Sequence, residues 1–270
     1  MIAAPLNELS RWLADGLHDS VRLDKSALDF LGVFVLRNAL SPATTQKYLA
    51  HYHRGCATGD LKPVEFHQTA MNIPENHPLH GIGEEPEVLA ILHRLFNGNV
   101  GSDRIRLVRK DQTNSSPVFL HHDIGYLRGF YDKYALFFAL TPSSEANGGL
   151  VLYPGTHHFG YLGDVGEIRS VLPPDYPVLS PSLAPGDLLI MHMGTWHQSG
   201  VNTQKTERVY LEITALHADD PSVRKVLCGQ RQSPWQLDLE TDLLFKSSRQ
   251  QRIRQLYQQI QTLEKKGHPQ

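Results

Sequence analysis

Two short runs, His121-His122-Asp123 and HQSGVNTQKTER at residues 197–208, hold side chains able to grip a metal ion and an organic acid. On an extended strand His121 and Asp123, two apart, project from one face while His122 points to the other. His121 and Asp123 are therefore the better ligand pair, with His122 left to flank the site. A third ligand must come from a distant strand. The stretch DLLIMHMGTWHQSG offers His192 and His197, and spacing alone does not choose between them. Two imidazoles and one carboxylate around an ion with open positions form the facial donor set of non-haem Fe(II) oxygenases. Arg208 adds a planar fork that can bind a carboxylate through two parallel charge-assisted hydrogen bonds, a geometry lysine does not reproduce.

These side chains need strands to bring them together, and from about residue 104 to 218 short β-rich runs alternate with turn-rich segments, as in a sandwich or barrel. Strands are expected at 104–109, 118–126, 134–140, 150–153, 187–192 and 208–216. The proline-rich stretch 172–186 cannot be a central strand. The first hundred residues read as helices with one short strand, FLGVFVL at 30–36. Ser41 can cap a helix whose first position is Pro42; it carries Leu49 and Tyr52 on one stripe and is expected to end at Gly55. In a second helix, over 86–96, Val88, Leu89, Leu92 and Leu95 recur at helical spacing before Gly98. The tail 246–270 is polar and Gln-rich, yet Ile253, Leu256, Ile260 and Leu263 share one helical stripe, expected to pack on its own domain rather than form a dimer seam. The organisation expected is a single domain over 1–270, helical to about 100, β from about 104 to 218, with a helical tail over about 235–266.

Composition narrows the partners. With 26 basic and 28 acidic side chains there is no charge excess suited to nucleic acid. No apolar run approaches the ~20 residues needed to span a bilayer, and the N-terminus lacks a leader pattern. A cytoplasmic monomer or homodimer acting on a small-molecule substrate, without nucleic acid or membrane, is the expectation. Cys56 and Cys228 are far apart and read as free thiols. Tyr126, Arg128, Tyr131 and Lys133 follow the ligand strand and are expected at the pocket mouth, where Arg128 or Lys133 can pair with an anionic substrate.

Gly186, Asp187, His192, His197, Ser199, Gly200, Asn202 and Arg208 resemble, in order and spacing, the distal motif of the phytanoyl-CoA dioxygenase family of Fe(II)/2-oxoglutarate oxygenases. FLGVFVLRNALSPATTQKYL is similar to the family's N-terminal strand and helix. EANGGLVLYPGTHHFG is similar to its Asn-Gly-x-Leu, Pro-Gly-Ser-His segment, with Thr156 in place of the usual Ser. The resemblance covers about residues 25–218; the last fifty are not family-typical. It implies a mainly β fold with flanking helices, built on a double-stranded β-helix (jelly-roll, cupin-like) core. It also implies that His197 is the third ligand and His192 structural, that Arg208 and Ser199 hold the far carboxylate of 2-oxoglutarate, and that His122 and the strand 104–110 lie near its inner carboxylate. His157 is then expected to support a turn, three protein ligands being already supplied.

The activity implied by the resemblance uses Fe(II), 2-oxoglutarate and O2 to hydroxylate a C–H bond of a small molecule, releasing succinate and CO2; desaturation or ring formation are variants. Related halogenases carry Ala or Gly where this chain has Asp123, which favours hydroxylation. Two other readings remain in view. A cupin-type isomerase or lyase would need a ligand set with Glu and several His, and a binding module that kept the fold should have lost one of the four key residues.

Overall fold

Two sheets face one another in a computed structural model that describes residues 6–64, 67–124, 132–160 and 172–233. The large sheet runs β1 (Asp19–Ser20), β2 (Val33–Leu36), β9 (Leu188–His192), β7 (Lys133–Ala139), β11 (Arg208–His217), β5 (Val100–Lys110), β4 (His67–Asn72) and β3 (Lys62–Val64), with β12 (Lys225–Cys228) also paired to β5. The small sheet is antiparallel, with β10 (Trp196–Ser199) between β6 (Val118–His121) and β8 (Leu150–Tyr153). Together the sheets form a jelly roll with helices on its outer side.

The two-residue period of the strands divides the core. On β7, Tyr134, Leu136 and Phe138 face outward and pack with Phe34, Leu36, Leu188 and Ile190 beneath the helices. Ala135, Phe137 and Ala139 face inward and meet Val33, Val35, Leu189 and Met191, closed over by Leu150 and Leu152 of β8. Because both faces are covered, KYALFFA is buried along its whole length.

The helices begin and end where local chemistry allows. The Asp24 carboxylate accepts from the N–H groups of Ser26 and Ala27 to open α2 (Lys25–Leu31). Phe30 and Leu31 close this helix, so the expected strand at 30–36 shortens to β2. Ser41 caps the Thr44 N–H and Pro42 starts α3 (Pro42–Thr58). This helix runs past Gly55 and stops at Gly59, whose φ of 76° is the left-handed turn that terminates a helix. Gly55 serves close approach instead: a Cβ there would lie 2.7 Å from Leu61 Cδ1. α4 (Pro86–Phe96) ends at Asn97, with φ 50°, one residue before Gly98. The N-terminal part is also less helical than expected, because β3 and β4 extend the large sheet. Among the described residues no helix is long and apolar enough to cross a membrane. The expected tail helix lies outside the described residues, as do Tyr126, Arg128 and Tyr131.

Candidate metal centre

His121 is the last residue of β6 and stands in register with His197 on β10. The expected strand over 118–126 breaks here. The N–H groups of Asp123 and Ile124 both donate to the Met193 carbonyl, at 2.8 and 3.0 Å, and this pinned bend turns the Asp123 carboxylate back toward the histidines. His121 Nε2 lies 3.4 Å from Asp123 Oδ1, and His197 Nε2 lies 3.9 Å from Oδ2. The imidazole centroids are 4.2 Å apart. All three ligand atoms fall within 4.8 Å of one another, the only such His/Cys/Asp/Glu group found among the described residues.

The donor chemistry fits a divalent ion. Nδ1 of His121 sits 2.7 Å from the Phe119 carbonyl and Nδ1 of His197 sits 3.0 Å from that of Thr195, so each Nδ1–H is held by backbone and each Nε2 lone pair is left for the centre. Two donors on one ion with bonds of about 2.1 Å lie at most about 4.2 Å apart, so the three side chains draw together slightly as an ion enters. Burial, followed by the charge of His121, pushes His197 down to about 4, which keeps it neutral near pH 7. Burial alone would raise the Asp123 carboxyl; the two imidazoles beside it, His121 before His197, and then Arg106 outweigh it and hold the group below the usual carboxylate range. A neutral imidazole and an ionised carboxylate are the forms that bind metal. His122 is buried, with its charge within reach of His197.

The structure separates the two candidate histidines. His192 ends β9 away from the centre, with Nε2 3.3 Å from Asp132 Oδ1 and Nδ1 accepting from the Gly194 N–H. Nε2 of His157 lies 2.9 Å from the Asp29 carbonyl, and burial, then His192, pushes this imidazole down to about 3. Thr156 ties its turn to the ligand strand: its hydroxyl accepts from the Trp196 N–H at 2.8 Å and donates to the Tyr153 carbonyl. Thr thus makes the bonds that Ser would.

A second built feature lies beside the centre. Arg208, 1% exposed, opens β11 opposite Lys110 of β5, itself fully buried. Lys110 Nζ donates to Ser199 Oγ at 2.8 Å and to the Gly200 carbonyl. The guanidinium stacks over Tyr210, 4.4 Å from the ring centroid, and its buried Nε has no partner. Neither cation has a carboxylate among the described residues. Burial, reinforced by the charge of Arg208, pushes Lys110 down to about 7. Two buried cations and a hydroxyl with no counter-charge make a site for an anion. Asn202 braces the loop between Ser199 and Arg208, with Nδ2 donating to the carbonyls of Lys110 and Thr206.

The sequence signal for Lys110 is its spacing alone: Arg104, Arg106 and Lys110 sit two or four apart on a strand and must share a face. Lys133 is 5% exposed and is engaged by Asp220 at 3.3 Å and Ser222 at 2.5 Å.

A profile of the phytanoyl-CoA dioxygenase (PhyH) family matches residues 30–209. No curated protein matches the chain. Among solved structures, EctD from S. alaskensis with 2-oxoglutarate and 5-hydroxyectoine superposes with a TM-score of 0.63 at 18% identity, over 78% of this chain and 80% of that one. The epimerase SnoN in complex with Fe3+, alpha ketoglutarate and nogalamycin RO gives 0.61 at 18%, over 73% and 86%. The alpha ketoglutarate-dependent carbocyclase SnoK from nogalamycin biosynthesis gives 0.60 at 19%, over 74% and 86%. At these identities the likeness is one of fold.

Proposed function

The chain belongs to the phytanoyl-CoA dioxygenase family, and from that premise we propose that it is an Fe(II)- and 2-oxoglutarate-dependent oxygenase that hydroxylates a C–H bond of a small molecule, releasing succinate and CO2. The observation that carries this reading is the coincidence of the His121, Asp123 and His197 donor set with the uncompensated pair Lys110 and Arg208 on the facing sheet. A metal-holding binding module, or an isomerase working through the metal alone, has no use for that buried pair.

His121, Asp123 and His197 would hold Fe(II) on one face and leave positions open, and the ion would supply the activation of dioxygen. Arg208 and Lys110 take the far carboxylate of 2-oxoglutarate, with Ser199 as a further hydrogen-bonding partner. The fork binds both oxygens and the ammonium supplies a point charge. His197 and Ser199 are two apart on β10, so the candidate metal ligand and the anion site are neighbours along one strand. The bend pinned on Met193 keeps Asp123 beside both histidines in the ligand-free chain.

Anaerobic Fe(II) plus 2-oxoglutarate is expected to give a weak visible charge-transfer band that is lost in His197→Ala and in Asp123→Ala. A folded wild-type protein that gives no band sinks the oxygenase reading. Product analysis after substrate-stimulated succinate release separates hydroxylation from desaturation or ring closure.

A further inference from the structure

The inner face of β5 and β11 carries a second charge cluster that neither the metal nor the far carboxylate of 2-oxoglutarate uses. Register places Arg106 opposite Glu212 and Arg104 opposite Thr214, so both guanidinia share the face of Lys110 and Arg208. Glu212 is completely buried. Arg106 Nε donates to it at 2.5 Å, whereas the nearest approach of Arg104 is 3.9 Å. One carboxylate therefore compensates one guanidinium, and Arg104 is the cation left over. Its Nε is buried without a partner, while 35% of its side chain stays accessible. A side chain inside a barrel that still meets solvent faces the open interior.

The position of the cluster excludes the metal and the far end of 2-oxoglutarate as its purpose. Arg104 and Arg106 lie six and four residues along β5 from Lys110, about 20 and 13 Å at 3.3 Å per residue. Both are within electrostatic reach of Asp123. The guanidinium of Arg104 thus stands farther along the barrel than Lys110, within reach of Asp123 and open to solvent.

Resting on the oxygenase reading above, we propose that Arg104, positioned beside the Arg106–Glu212 pair, recognises the primary substrate and that this substrate carries a carboxylate. The fork, whose one carboxylate neighbour stays 3.9 Å away and is already held by Arg106, matches a carboxylate in shape and in charge. A neutral analogue would leave the guanidinium desolvated without its partner, and a cationic one would be repelled.

The test uses anaerobic protein loaded with Fe(II) and 2-oxoglutarate, titrated with acetate, hexanoate and benzoate and in parallel with acetamide, hexanamide and benzamide. Binding is read from the charge-transfer band and by calorimetry. At least one acid is expected to bind about tenfold or more tighter than its amide, as a site built around a charge rejects an analogue lacking it. Arg104→Gln should erase that preference and Arg104→Lys recover part of it. In both variants the 2-oxoglutarate affinity should stay within about twofold of wild type, because that ligand is held elsewhere. Melting temperature reports folding, and Glu212 keeps Arg106 in either variant.

Four outcomes overturn the proposal: acids and amides bind alike, no acid binds, the preference survives in Arg104→Gln, or inorganic phosphate displaces the acids as a tighter ligand. A fifth, a tenfold loss of 2-oxoglutarate affinity in Arg104→Gln, would assign the residue to the inner carboxylate of the co-substrate instead. If wild type gives no band, the oxygenase reading fails, while the calorimetric titration still decides whether Arg104 binds carboxylates.

Discussion

The inner face of the large sheet is two surfaces. Over β2, β9 and β7 it presents Val33, Val35, Leu189, Met191, Ala135, Phe137 and Ala139 to β8. Over β11 and β5 it presents Arg208, Glu212, Thr214, Arg104, Arg106 and Lys110 to the strands carrying the metal ligands. Tyr210 marks the border, its ring 5.6 Å from Phe137 and stacked under Arg208. The apolar half holds the sheets together through buried area, at about 25 cal/mol per Å². The charged half costs free energy to bury, and only a ligand completes its pairing. Stability and function are thus placed on different strands of one sheet, so they can be broken separately.

The sharpest break is His197→Ala. Metal affinity should fall by more than the ~100-fold typical of losing a supporting partner, with turnover abolished and the melting temperature of the metal-free protein little changed. A metal titration showing less than a tenfold loss would remove His197 from the centre. Phe137→Ala attacks the other half: with the side chain 4% exposed, it should cost about 3–5 kcal/mol in a denaturant midpoint. Metal affinity of the protein that remains folded should hold; if it falls in step, the two halves are not independent. Arg208→Leu should weaken 2-oxoglutarate by about 2–5 kcal/mol and leave iron binding intact. It should also raise the melting temperature of the ligand-free protein, since an uncompensated buried cation is gone. Unchanged 2-oxoglutarate affinity would refute its role.

The smallest effect is a proton. Folding lowers Lys110 from 10.5 to about 7, so between these values the unfolded chain binds more protons than the folded one. Stability of the ligand-free protein should therefore rise with pH across that window. A bound carboxylate favours the charged form and raises Lys110 again. Binding of 2-oxoglutarate above pH 7 should then take up a fraction of a proton, and affinity should decline as pH rises, by at most about one decade per unit. Calorimetry in two buffers of different ionisation heat measures the uptake. Lys110→Met should abolish it, and a proton count unchanged in that variant would place the linkage elsewhere.

Much of this architecture was legible where a local rule applies. Ser41 and Pro42 announce α3, and β-rich runs between turns announce β5, β7, β8, β9 and β11, because caps and two-residue alternation act within a few residues. β10, the strand that carries His197, has no strong local signal: WHQS is four residues long, three of them polar, and lies close to Gly194 and Gly200. A strand continuing through Asp123 would put His121 and Asp123 on one face. The structure joins them through a bend instead, and the bend depends on a carbonyl at Met193 that no local pattern announces. Gly55 misled because a glycine marks a helix end only in a left-handed conformation, and here it serves contact with Leu61.

By itself the sequence determined the kinds of groups available: two runs with metal-binding and carboxylate-binding side chains, on β-rich segments of a chain with balanced charge. The residues alone left His192 and His197 open. Tertiary structure decided that His197 meets His121, that Lys110 stands beside Arg208, and that Glu212 satisfies Arg106 and leaves Arg104 exposed to the interior. Each of these follows from the pairing of strands distant in the chain. A side chain carries its donor atoms wherever it lies, but its partner is set by the register across a sheet, which only the folded chain possesses.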